Sequence, residues 1–218
     1  MISNQPFTNA PAQQGVSTAI MTHNMNDQRL DLDAIVALIP QHSSVLDLGC
    51  GDGSLLARLV AEKQVKARGV ELDESNVRAC IGRGLPVRQG NIEEGLEDYS
   101  DHTFEYVILS QTLAFLDRPR PVVQEMLRVG KRAIISFDNA GYWRSRWQTL
   151  WGVGCGDDLC NETARARAIS LQEFHVFVDC LGAQIEGAAF VNHTHPVRWK
   201  PTLLARVAVF TIRSSTKI

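Results

Sequence analysis

The sequence has no run of 18 or more apolar residues, and its first residues show no basic start followed by an apolar stretch, so neither a membrane span nor a secretory leader is expected. Cysteine is scarce. Cys50, Cys80, Cys155, Cys160 and Cys180 are odd in number, scattered and without a CxxC pair, which argues against a disulfide framework and for a reducing, cytoplasmic setting. Cys155 and Cys160 lack a matching His or Cys pair, and His193 and His195 lack a third ligand nearby, so no metal site is expected. A strong charge of one sign is also missing. With 22 Lys+Arg against 24 Asp+Glu the net charge is -2 and the pI about 6.3, and nothing global points to nucleic acid as a partner. No internal repeat of the solenoid kind is present. What remains is a globular composition: 218 residues, 44% hydrophobic and 21% charged, enough apolar material to bury roughly 70% of the unfolded surface.

Residues 1–25 are rich in Asn, Gln, Ser, Thr and Pro without a sustained period, and are expected to be a flexible segment outside the core. Residues 26–218 read as one domain. Leu32, Ile35, Val36 and Ile39 recur at helical spacing before Pro40. Elements then alternate: strand 44–48, helix 54–62, strand 67–72, helix 74–83, strand 87–89, strand 104–110, helix 119–127, strand 131–137, helix 171–181 and apolar strands at 183–191 and 203–212. This rhythm predicts a doubly wound α/β fold around a mainly parallel, seven-stranded sheet. The last two strands follow each other through a Pro-containing loop, which permits an antiparallel edge. The segment 151–169 breaks the rhythm and is a candidate cover for a ligand site.

The run Val45-Leu-Asp-Leu-Gly-Cys-Gly-Asp-Gly-Ser-Leu-Leu reads as a buried strand, a glycine turn and a helix start, the order that a nucleotide site requires. Gly49 and Gly51 allow torsions and a close ligand approach that a Cβ would obstruct. The spacing is GxGxG. The dinucleotide fingerprint has its third glycine one residue later, at Ser54 here, which argues against a pyrophosphate cofactor such as NAD. Glu71, followed by Leu72, ends the second strand 22 residues after Gly49, where a carboxylate can accept hydrogen bonds from both ribose hydroxyls. Asp47 can brace the turn or meet a ligand ammonium. Gly90-Asn91-Ile92 lies where an adenine can be held between an apolar side chain and an amide. The candidate cofactor-binding residues are therefore Asp47, Gly49, Cys50, Gly51, Glu71, Leu72, Asn91, Ile92 and Ser110. The candidate acceptor-side residues, at the ends of the fourth and fifth strands, are Gln111, Thr112, Tyr142 and Trp143. Arg144 and Arg146, beside Trp143 and Trp147, suit an anionic acceptor, a partner or a solvated helix equally well.

The glycine turn, Glu71 and strand order resemble the class I S-adenosylmethionine-dependent methyltransferases. More narrowly, the turn, Gly69-Val-Glu-Leu-Asp73, Tyr106-Val-Ile-Leu-Ser-Gln-Thr-Leu113, Glu125-Met-Leu-Arg-Val-Gly130 and Ala133-Ile-Ile-Ser-Phe137 resemble the MetW family of methionine biosynthesis. The first resemblance implies a Rossmann-like methyltransferase fold, S-adenosylmethionine as cofactor with S-adenosylhomocysteine as product, and transfer of a methyl group to a small-molecule acceptor. The second implies an alternative, a nucleotide-binding regulatory partner of a homoserine O-acyltransferase. The chain departs from the family at Asn91 and Asp138, where Asp and Pro are usual. Ser110-Gln-Thr-Leu113 also replaces the Asn/Asp-Pro-Pro-Tyr sequence of methyltransferases acting on adenine or glutamine amino groups.

Overall fold

A computed structural model describes residues 29–143, 167–192 and 195–215. The predicted leading segment 1–25 lies outside these residues, as do Arg144, Arg146, Trp147, Cys155, Cys160 and His193.

Among the described residues, eight strands form one sheet: β1 (Ser44–Leu48), β2 (Lys66–Glu71), β3 (Val87–Gln89), β4 (Phe104–Ser110), β5 (Gly130–Asp138), β6 (Ala183–Asn192), β7 (His195–Pro196) and β8 (Val207–Ser214). Their order is β3-β2-β1-β4-β5-β8-β6-β7. The first five run parallel, and β8 enters antiparallel between β5 and β6. The helices are α1 (Leu30–Leu38), α2 (Ser54–Lys63), α3 (Glu74–Gly82), α4 (Pro119–Val129), α5 (Leu171–Cys180) and the single turn α6 (Pro201–Leu204). This is the Rossmann-like α/β architecture with an antiparallel edge that the sequence predicts. Among the described residues no helix is long and apolar enough to cross a membrane.

Period-two alternation along the strands sorts the core into two layers. Leu46 and Leu48 of β1, Val107 and Leu109 of β4, and Phe137 of β5 pack with α4 and α5, where Phe137, Phe174 and Phe210 stack at centroid distances of 4.6–5.9 Å. Val45, Ile108 and Ile134 face the other way, onto Ile35 of α1, Ile39 just after it, and Leu56 and Leu59 of α2. Asp47 shares the face of Val45, so the alternation that buries β1 also buries a carboxylate beneath α1.

Two details differ from the sequence expectation. His195 and Pro196 add a two-residue eighth strand against Val191 and Asn192, too short to leave a periodic signal. Leu203 and Leu204 belong to α6 and not to the last strand. Pro201 fits the first helical position and Lys200 turns the chain in the left-handed region (φ 43°). Pairing begins only at Val207, opposite Asp138 at the end of β5.

Candidate ligand crevice between the β1 and β4 ends

Chain order reverses between β1 and β4, and in open α/β sheets ligands bind outside the carboxyl ends at such a switch point. The glycine turn leaves β1 there. Gly49 and Cys50 both donate to Val70 O, at 2.8 and 3.3 Å, which fastens the turn to β2. Gly53 caps α2 with φ 79°. A Cβ on it would stand 2.6 Å from Leu85 Cδ1 and 2.8 Å from Cys80 Sγ, so Gly53 performs the close packing that the third glycine of the dinucleotide fingerprint performs one residue later. Gly51 differs. It also has positive φ (56°), but a Cβ there would meet nothing within 4 Å, so this part of the turn faces open space.

Glu71 is buried, with one oxygen accepting from Gly51 N at 2.8 Å and the other from Asp73 N at 3.0 Å. Its carboxylate braces the turn against the start of α3, and each oxygen retains acceptor capacity. Leu72 beside it is 64% exposed. The Cys50 thiol packs inward under Gly69, and burial, with Asp47 next, pushes its pKa up. Asn91 Oδ1 accepts from Glu93 N at 3.0 Å and caps a short 3-10 turn, while Ile92 belongs mainly to the core of the α4 and α5 layer.

Asp47 is 1% exposed, and neither of its oxygens has a hydrogen-bond partner among the described residues. Burial pushes its pKa up to about 7; the Arg29 charge opposes the shift, and the charges of Asp31 and Glu71 add to it.

Sequence reasoning missed a neighbouring network. Arg29, just before α1, forks onto Asp31 through Nε and Nη2, both at 3.1 Å, and Nη2 also donates to Ser110 Oγ at 2.7 Å. Ser110 Oγ donates to Asp31 Oδ2, as does Ser136 Oγ at 2.9 Å. Burial works to raise the Asp31 pKa, but Arg29 and the two hydroxyls outweigh it and hold the carboxyl below the ordinary range. One signal for this network was available: serines at the ends of β4 and β5 within otherwise apolar runs, with an Asp at the head of an apolar helix. Ser110 thus sits at the crevice with its hydroxyl committed to Asp31.

The acceptor-side candidates divide. Gln111, at positive φ (57°), donates its backbone N–H to Ser136 O at 3.0 Å, and Thr112 packs against Gly49, where a Cβ would stand 3.0 Å from Thr112 Oγ1. Tyr142 is buried, its hydroxyl 3.5 Å from Asn192 Oδ1, and Trp143 is 46% exposed beside it. Asn139 holds this second pair in place. It donates to Thr202 O and Ala205 O and accepts from Gly141 N. Of the segment predicted as a cover, Arg167–Ile169 are described: Arg167 donates to Ala114 O and Ile169 O accepts from Ala140 N, both at 2.9 Å. A separate groove of about 220 Å³, lined by Leu113, Pro119, Ile169, Phe174 and Phe177 among others, opens between α4 and α5 and includes none of the glycine turn.

Solved structures share the fold. An S-adenosylmethionine-dependent methyltransferase from Thermotoga maritima, described as a possible histamine N-methyltransferase, is 19% identical with a TM-score of 0.64 over 85% of this chain and 88% of its own. One from Archaeoglobus fulgidus is 16% identical with a TM-score of 0.64, over 85% and 92%. The cyclase SpnF is 18% identical with a TM-score of 0.61, over 86% and 82%, so the fold alone does not fix the reaction. Among curated proteins, the bifunctional methionine biosynthesis protein MetXA/MetW of Rhodopirellula baltica is 39% identical over 125 residues, which are 54% of this chain. The matched region spans only 20% of that relative's length. The model of the family described as methionine biosynthesis protein MetW matches residues 29–212, most of the chain, and the chain belongs to that family.

Proposed function

We propose that the chain binds S-adenosylmethionine, or its product S-adenosylhomocysteine, in the crevice between the β1 and β4 ends and transfers a methyl group to a small-molecule acceptor. The observation that carries the ligand reading is Asp47. A carboxylate sealed from water without a hydrogen-bond donor costs several kcal/mol to ionise, and a ligand ammonium supplies both the missing donor and the missing charge. The residues present fit such a ligand. Glu71 keeps acceptor capacity for ribose hydroxyls, Gly51 leaves room beside the turn, and Leu72 offers an exposed apolar side chain toward an adenine, with Asn91 and Ile92 on the following turn.

When bound, S-adenosylmethionine supplies an activated methyl group on a sulfonium. The chain's own contribution is position: a nucleophile held in line needs no strong base of its own. Gln111 and Thr112 at the β4 end, and Tyr142 and Trp143 beyond β5, would orient the acceptor and exclude water.

A second reading follows from family membership and from the Rhodopirellula relative, whose name joins MetXA and MetW in one chain. On it, the chain is a nucleotide-bound regulatory partner of a homoserine O-acyltransferase. Both readings need the same ligand. Calorimetric titration with S-adenosylmethionine and S-adenosylhomocysteine is expected to show binding that Glu71→Ala weakens about tenfold or more. Turnover in an acceptor screen would select the first reading, and a change in homoserine O-acyltransferase activity on mixing would select the second. Absence of binding to either ligand would remove both.

A further inference from the structure

We propose that the groove between α4 and α5 is a binding site in its own right, for a small carboxylic acid with an aromatic or apolar body, whose carboxylate is read by Arg167. This goes beyond the ligand reading above and does not rest on it, since the groove shares no residue with the glycine turn or with Glu71.

The groove has a wall fixed by the backbone. Arg167, Ala168 and Ile169 are tied to two strand ends: Arg167 N donates to Ala114 O beyond β4, and Ala140 N beyond β5 donates to Ile169 O, both at 2.9 Å. Ile169 also bridges Asn139 in parallel register, and Ser170 then caps α5, so this stretch is set at both ends. Leu113 and Phe174 line the groove from the core, at 3% and 1% exposure, and Pro119, Ile169 and Phe177 complete an apolar lining. The Phe174 and Phe177 rings, with centroids 6.3 Å apart, suit an aromatic ligand body. A volume of about 220 Å³ falls below the roughly 300–1,000 Å³ of sites for drug-sized ligands, which limits the occupant to a small molecule.

Among the described residues two charged side chains line the groove, Glu173 and Arg167, and they are committed differently. Glu173 turns its carboxylate into the α5 cap, where Oε2 accepts from Ser170 N and Ser170 Oγ, both at 2.8 Å. Those bonds hold its pKa below the ordinary range and keep it an anion engaged by its own helix. Arg167 is anchored without being neutralised. Its Nη2 donates to Asp117 O at 2.9 Å, a neutral carbonyl, and among the described residues neither Nε nor Nη1 has a partner. Arg29 and Arg83, by contrast, are each paired with an aspartate. A positioned guanidinium with its charge uncompensated, on the border of an apolar lining, complements an anion carried on an apolar body. A carboxylate meets it with charge-assisted hydrogen bonds, while the rest of the ligand displaces water from the aromatic rings.

The test is a nuclear magnetic resonance titration of the full chain with 3-phenylpropionate, 3-phenylpropanol and 3-phenylpropylamine, which share one body and carry a negative, a neutral and a positive end. The wild type is expected to bind 3-phenylpropionate saturably, with shifts concentrated at the amides of Leu113, Ala168, Ile169 and Phe177, and to prefer it over the alcohol by about tenfold. Arg167→Gln, checked for folding by thermal melt, should erase that preference while leaving the alcohol within about twofold. Ala168→Trp, which fills the groove, should abolish binding of both. Equal wild-type affinity for acid and alcohol, tighter binding of the amine, or equal weakening of acid and alcohol by Arg167→Gln would overturn the assignment of Arg167. Failure of 3-phenylpropionate to saturate, or shifts centred on Gly49–Gly53, would overturn the site itself, and neither result touches the reading of the crevice.

Discussion

Asp31 and Asp47 are both sealed from water near the carboxyl edge, at 0% and 1% exposure, yet among the described residues one carboxylate is saturated with donors and the other has none. The contrast separates two uses of a buried charge. Asp31 returns its desolvation cost within the fold by joining α1 to the ends of β4 and β5. Asp47 cannot do so, because among the described residues no donor meets its oxygens. Their protonation follows suit, with Asp31 held below the ordinary carboxyl range and Asp47 raised to about 7.

The contrast is broken most severely at Asp31. Asp31→Ala leaves the buried hydroxyls of Ser110 and Ser136 without their acceptor and frees Arg29. The expected loss is about 3–5 kcal/mol, read as a fall in the denaturation midpoint at unchanged slope. A loss below about 1 kcal/mol would show that the network is incidental.

Asp47 sharpens the contrast through pH, with the opposite sign. Its folded pKa, about 7, lies above the ordinary 3.8, so between those values the unfolded chain releases a proton that the folded chain keeps. Stability contributed by the protonated group is complete below about pH 4, falls as pH rises through the window, and levels off above 7. Roughly 2–4 kcal/mol is at stake. Asp47→Asn should flatten that slope in unfolding measured across pH 4–8, at the expense of affinity for an ammonium-bearing ligand. For Asp31, whose folded pKa is lowered, the stability is present above the ordinary carboxyl range and is lost as pH falls through the folded value. A variant chain with Asp47→Asn and an unchanged pH 4–8 slope would remove the argument for an orphan carboxylate.

The same distinction explains what was legible in the sequence. Strands β1, β3 and β4 have the predicted ends, because apolar runs bounded by turn residues carry them, and the glycine turn and Glu71 meet at the carboxyl edge of the sheet because local spacing brings them there. Residues whose importance depends on distant partners escaped. Asp31 meets Ser110 and Ser136 across separations of 79 and 105 residues, and no local period announces such a meeting. Periodicity likewise missed Pro201–Leu204, where an apolar pair beside the final strand forms a helical turn, because it registers apolarity and not the backbone direction set by Lys200 and Pro201. Ile92, read as a ligand contact from its place in the chain, also packs with Leu96 and Leu113 in the core, a second role that so short a turn does not announce.

A third carboxylate tests whether partners or burial set the stakes. Asp52, in the glycine turn, is as well supplied as Asp31: it accepts from Ser54 N at 3.1 Å, from Ser54 Oγ at 2.6 Å and from Arg83 Nη2 at 2.8 Å. Its side chain is 47% exposed and that of Arg83 43%, so water replaces most of what either would lose. Arg83→Ala is expected to cost less than about 1 kcal/mol in the same denaturation assay, and less still at high salt, where an exposed pair is screened. A cost approaching that of Asp31→Ala would mean that the number of partners governs these carboxylates. A small, salt-sensitive cost would leave burial as the governing variable and Asp47 as the carboxylate with the largest uncompensated desolvation.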